Sequence, residues 1–207
     1  MKKCIITIGR QCGSGGHTIG KTVAERLGVP FYDKKLVQIV AERSGLSAET
    51  VRREGEYSSA SSLFTSVSSR GYSAYNAGQR ENMALPDQIN AYQTELIKEL
   101  ADKGSCVIVG RCADYVLQDK FPCINIFIHA QLQKRMDRAV KVYGLAPDDV
   151  QSTLLRTDKR RETYYNYYTG RKFGDARNYT LSLDSLGVGI ENAVRVVADY
   201  VEHWTGE

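Results

Sequence analysis

The stretch Cys4-Ile5-Ile6-Thr7-Ile8-Gly9-Arg10-Gln11-Cys12-Gly13-Ser14-Gly15-Gly16-His17-Thr18 decides how the rest of the chain is read. Its first residues are β-prone and almost continuously apolar, the pattern of a strand buried on both faces. Glycines at 9, 13, 15 and 16 follow at once, with Ser14 and Thr18 among them. Ile19, Val23, Ala24 and Leu27 then recur on one side of a helix that Gly28 closes. Four glycines are more than a strand-to-helix connection needs. In a first βα unit they let backbone N–H groups and the helix N-terminus converge on a phosphate.

The pattern G-x-x-x-x-G-K-[ST] has a literal match at Gly15 to Thr22, ending in Gly20-Lys21-Thr22. That match is out of register with the strand. The strand ends at Gly9 and the helical period starts near His17, so Lys21 falls in the second turn of the helix and faces solvent. Aligning the strand ends instead places the turn at Gly9 to Thr18, with Gly16 where the P-loop lysine normally stands. Gly13, Ser14, Gly15, Gly16, His17 and Thr18 are then the candidate phosphate binders. Arg10 is the nearest cation able to replace the lysine, and Thr18 is the candidate hydroxyl for Mg²⁺.

Outward from this unit, apolar β-prone runs alternate with helical patterns, which predicts a parallel sheet flanked by helices. The expected strands are Cys4 to Gly9, Pro30 to Tyr32, Cys106 to Gly110, Ile124 to His129 and Tyr179 to Leu183. Expected helices include one capped by Asp87, one from Leu132 to Tyr143, a long one from Pro147 past Arg161, and one from Ile190 to about His203. Residues 45–85 break the rhythm with a serine-rich stretch from Ser58 to Ser69, either a loop or a small helical cap over a ligand.

With 207 residues the chain can build one α/β core but not two ordinary domains. Apolar residues at 42% and charged residues at 25% are ordinary for a globular protein, and no apolar run has the roughly 20 residues of a membrane span. The start of the chain reads as a strand, not an export signal. Five cysteines, odd in number and without C-x-x-C spacing, predict reduced thiols and a cytoplasmic protein. The net charge of +4 is mild. A basic, tyrosine-interleaved stretch from Arg156 to Arg177 reads as a solvated helix face, an arginine lid over phosphates or a nucleic-acid surface, with the Tyr164 to Tyr168 cluster as packing beneath it.

Four segments, in order, resemble the cytidylate kinases, most closely the group called cytidylate kinase-like. Cys4 to Gly9 with the glycine turn is similar to the family's strand and P-loop, and Phe31-Tyr32-Asp33 to the segment leading into its nucleoside monophosphate site. Val107-Ile108-Val109-Gly110-Arg111 resembles the strand ending in Gly-Arg-Asp that grips the acceptor. Asp158-Lys159-Arg160-Arg161 resembles the lid motif Asp-x-x-Arg. The resemblance implies a three-layer P-loop NTPase fold: a five-stranded parallel sheet flanked by helices, with a small helical insert at 45–85 and an arginine-bearing lid at 145–177, in a single domain over 1–207. It implies ATP and Mg²⁺ as cofactors and phosphoryl transfer to a nucleoside monophosphate, CMP-like or dCMP-like, or a related small acceptor.

On this reading Arg10, Asp158 and Arg161 are catalytic, and Asp33, Arg111 and Asp114 bind the acceptor. Asp158 and Arg161, one helical turn apart, share a face that leaves Lys159 solvated. The chain departs from the family pattern at Gly16, at Cys112 where the aspartate after Gly-Arg is expected, and at Lys34-Lys35 after Asp33. Asp114 is the substitute for the missing aspartate. Expected partners are small-molecule nucleotides, with a homodimer as a candidate assembly and neither membrane nor nucleic acid as the main partner. The alternative is a nucleotide-binding sensor or regulator that kept the fold without catalysis.

Overall fold

The structure is a computed structural model that describes residues 3–55 and 83–205. Its elements are β1 (Ile5–Arg10), α1 (Gly16–Leu27), β2 (Phe31–Tyr32), α2 (Lys34–Ser44), α3 (Ala48–Glu54), α4 (Leu85–Lys103), β3 (Cys106–Val109) and α5 (Ala113–Leu117). They continue as β4 (Cys123–His129), α6 (Leu132–Tyr143), α7 (Pro147–Thr169), a 3-10 turn at Ala176–Asn178, β5 (Leu181–Asp184), α8 (Ser185–Val188) and α9 (Ile190–Glu202).

All strand pairs are parallel, in the order β2-β3-β1-β4-β5. β1 is central because every residue of Ile5 to Ile8 has a ladder partner on both sides, in β3 and in β4. The period of two then sorts its side chains. Ile6 and Ile8 enter a core with Ile19 and Val23 of α1 and Val194 and Val197 of α9. Ile5 enters the opposite core with Leu36 of α2, Leu96 and Leu100 of α4 and Leu117 of α5. Two apolar layers on one sheet leave its carboxyl edge as the place for polar chemistry.

α7 lies across that edge. Pro147 sits in its first turn and Gly170, at φ 66°, ends it. Val150 and Leu154 pack with Ala139 of α6, while Tyr164, Tyr165 and Tyr168 pack with Cys112 after β3. The tyrosine cluster is packing, as expected, and Tyr167 alone of the four is exposed.

Two boundaries differ from expectation by more than one residue. The Asp175 carboxylate caps the 3-10 turn, and Tyr179 N–H donates to Ala176, so Tyr179 stays in the turn and β5 starts at Leu181. α4 starts at Leu85, not after Asp87. Ala84 is its N-cap, Pro86 stands in its first turn, and the Asp87 carboxylate instead accepts from Tyr168 Oη at 2.7 Å. Within the 45–85 segment the structure adds α3, and the remainder of that expectation lies outside the described residues. Among the described residues no helix is long and apolar enough to cross a membrane.

Candidate active site

The glycine turn is built on two left-handed residues, Gly13 at φ 80° and Gly15 at φ 85°. A Cβ on Gly13 would lie 2.9 Å from the Arg135 carbonyl, and one on Gly15 would strike Ile190. Gly15 is the N-cap of α1. No side chain caps this helix and its first turn holds no acidic residue, so its leading N–H groups and the positive end of the helix dipole are suited to an anion. The Ser14 side chain is not available to a ligand. Its hydroxyl is fully buried and donates to the carbonyls of Gln11 (2.8 Å) and Ile128 (3.1 Å), which fixes the turn to β4.

Arg10 ends β1, and its side chain passes between two glycines. A Cβ on Gly16 would stand 2.7 Å from Arg10 Cβ, and one on Gly110 would strike the guanidinium. Gly16 therefore lacks a side chain where Arg10 has one. The guanidinium reaches 3.8 Å from the Asp33 carboxylate. Asp33 sits at the N-cap position of α2 without capping it, because its carboxylate turns to His17 Nδ1 at 2.6 Å. Lys21 is exposed in the second turn of α1, 3.7 Å from Glu25, as the strand-aligned register requires.

Two of the expected site residues have partners within the protein. Asp158 accepts from the Cys12 N–H at 2.6 Å and pairs with Arg135 Nη1 at 2.5 Å, while Arg135 also donates to the Cys12 carbonyl at 3.0 Å. Both carboxylate oxygens are thereby engaged, and Asp158 is a brace that ties α7 and α6 to the glycine turn. Thr18 Oγ1 lies 3.1 Å from the Arg138 guanidinium, which donates to it. A hydroxyl under a cation is a poor ligand for Mg²⁺. Arg161 does reach the turn, donating to the Arg10 carbonyl at 3.3 Å.

Arg135 and Arg138 were missed by sequence reasoning. Arg135 is buried in the apolar stripe of α6 between Leu132 and Ala139. A charge at an apolar-period position was the available signal.

The turn after β3 works by side chains. Gly110, Arg111 and Cys112 all adopt positive φ (75°, 59° and 53°). Non-glycine residues in this region are strained by roughly 1–2 kcal/mol each. Arg111 is held by donating to the Gly55 carbonyl after α3. Asp114 is buried and accepts from Tyr165 Oη at 2.7 Å. Burial pushes its carboxyl up, against the Tyr165 hydrogen bond, and burial followed by Asp114 pushes the Tyr165 phenol up as well. Arg111, Asp114, Arg161 and the Tyr164, Tyr165 and Tyr179 rings line a cavity of about 40 Å³ beside Arg10.

Arg161 Nε, Arg138 Nε and Arg135 Nε are buried N–H donors without an acceptor. Around a glycine cradle with an uncapped helix N-terminus, such donors fit a polyphosphate such as the tail of ATP. The Thr18 ligation expected for Mg²⁺ does not fit. Among the described residues no group of three or more His, Cys, Asp or Glu side chains is placed to hold a metal ion.

A parallel sheet whose central strand runs through a glycine turn into a helix, with arginines converging on that turn, defines a P-loop NTPase fold of the kinase type. A shikimate kinase from Bacteroides thetaiotaomicron shares the fold, at a TM-score of 0.56 and 16% identity over 96% of this chain and 98% of that one. An uncharacterized protein from Eubacterium ventriosum is similar at a TM-score of 0.72 and 26% identity, over 98% of this chain and 100% of that one. A cytidylate kinase of Pyrococcus horikoshii is 22% identical over 97% of this chain and 90% of its own length. Residues 5–186 match the model of the cytidylate kinase-like family, and the chain belongs to that family.

Proposed function

We propose that the protein transfers the γ-phosphoryl group of ATP to a nucleoside monophosphate of the CMP or dCMP kind, or to a related small acceptor. The observation that carries this reading is the path of Arg10 between Gly16 and Gly110, which brings a permanent cation to the mouth of a cradle that lacks its lysine. Backbone N–H groups from Gly13 to Thr18 bind the donor phosphates. Arg10 and Arg161 neutralise the charge that spreads over the transferring group, the step where electrostatic stabilisation matters most. Arg111 grips the acceptor phosphate, and Asp33 and Asp114 orient the acceptor at the carboxyl ends of β2 and β3. α7 is the body of the lid at 145–177, and α3, within the segment 45–85, belongs to the acceptor side. A phosphate acceptor is already anionic, so positioning and charge suffice without a covalent nucleophile.

An ADP-release assay across CMP, dCMP, UMP and other small acceptors tests the reading. Turnover with at least one acceptor is expected, and ATP binding without turnover on any of them overturns it. The alternative, a nucleotide-binding sensor or regulator without catalysis, draws its support from Gly16 at the lysine position. It predicts nucleotide affinity that survives Arg161→Ala. The kinase reading predicts a loss of turnover of about 10²–10³-fold in the same variant.

A further inference from the structure

If the turn binds a nucleotide as proposed above, the divalent ion that accompanies it has room for a protein ligand beside phosphate oxygens and water, and Thr18 Oγ1 is engaged by Arg138. In the pattern G-x-x-x-x-G-K-[ST] the metal-binding hydroxyl directly follows the lysine. With Gly16 at the lysine position, that place belongs to His17. Its side chain is 44% exposed, and it lines the same pocket as Arg10, Gly13, Gly15, Gly16 and Asp33. Nδ1 lies 2.6 Å from Asp33 Oδ2. A carboxylate acceptor puts a proton on Nδ1, and in the neutral imidazole Nε2 is then the nitrogen with a free lone pair. A histidine whose second nitrogen donates to a carboxylate is the arrangement that orients metal-binding imidazoles.

We propose that His17, oriented by Asp33, is the protein's ligand for the nucleotide's divalent ion, and that it favours a first-row transition ion such as Mn²⁺ or Co²⁺ over Mg²⁺. Mg²⁺ takes oxygen ligands, whereas imidazole binds transition ions with an affinity that rises from Mn²⁺ to Co²⁺. One protein ligand is enough, because phosphate oxygens and water complete the shell. Arg10, facing Asp33, and Arg161 place positive charge beside the pocket, so the ion binds only together with the polyphosphate.

The test uses the full chain with a non-hydrolysable ATP analogue and Mn²⁺ as the probe. Electron spin-echo modulation from a coordinated nitrogen is expected in the ternary complex, with no Mn²⁺ bound when the analogue is omitted. His17→Ser removes the nitrogen signal, weakens Mn²⁺ at least about tenfold and restores a preference for Mg²⁺, which separates His17 from the two other histidines of the chain. Asp33→Asn keeps the nitrogen signal and weakens Mn²⁺ about 10–100-fold. Analogue affinity is measured separately in a chelator. Analogue binding with Mn²⁺ that shows no nitrogen coupling overturns the metal assignment alone. No analogue binding overturns both it and the proposed function.

Discussion

The turns that leave β1 and β3 solve the same problem with opposite means. After β1 the left-handed positions are glycines, the chain is unstrained, and the binding groups offered are backbone N–H. After β3 the left-handed positions include Arg111 and Cys112, and the groups offered are side chains. A backbone cradle suits a phosphate that every nucleotide carries. A strained turn that aims an arginine suits a partner that must be selected. Arg10 joins the two, since it starts at the first turn and occupies the space over Gly110 in the second.

Removing that joint has the largest expected effect. Arg10→Ala should lower kcat by about 10³-fold or more at saturating ATP, the range for an arginine that stabilises phosphoryl transfer. A loss below tenfold would place the essential cation elsewhere and dissolve the link between the turns. Next comes the brace behind the first turn. Arg135→Ala leaves Asp158 without its buried partner and should destabilise the protein by about 3 kcal/mol in chemical unfolding. An unchanged unfolding midpoint would mean that the glycine turn holds its shape alone.

The strain in the second turn is measured by two variants at one position. Arg111→Ala and Arg111→Gly both remove the guanidinium, so acceptor KM should rise alike, but the glycine variant should be more stable by about 1 kcal/mol because only it relaxes at φ 59°. Equal stabilities would show that the turn stores no strain. The smallest effect is that of pH on Asp114. Burial raises its carboxyl above the ordinary 3.8, so the folded state favours its protonated form. Its contribution is therefore intact below pH 3.8 and is lost as pH rises through the raised value. Asp114→Asn should raise Tm at pH 7 and bring no gain at pH 3, whereas a gain of equal size at both would assign it to packing.

The first turn was legible in the sequence because its information is local. A strand, a glycine run and a helical period lie within 25 residues of one another, and the failed match at Lys21 was itself informative about register. Arg135 and Arg138 were not legible because their partners Cys12 and Thr18 are 123 and 120 residues away, and only the packing of α6 against the glycine turn brings them together. The face of Asp158 was legible, but its partners were not. Its spacing from Arg161 showed the shared side of α7, but not that Cys12 N–H and Arg135 would consume both oxygens. The second turn was legible only as a strand ending in Gly-Arg, since arginine and cysteine do not advertise a left-handed backbone.

The threading of Arg10 between Gly16 and Gly110 also constrains how such a chain changes by mutation. A lysine does not fit at position 16 beside Arg10 as it stands, because its Cβ alone would meet Arg10 Cβ at 2.7 Å. On the proposed function, losing Arg10 first leaves the cradle short of its cation. The three positions form one epistatic unit, crossed by simultaneous exchange rather than by single neutral steps. A pattern that demands lysine meets this chain only out of register, at Lys21, and misses the turn itself.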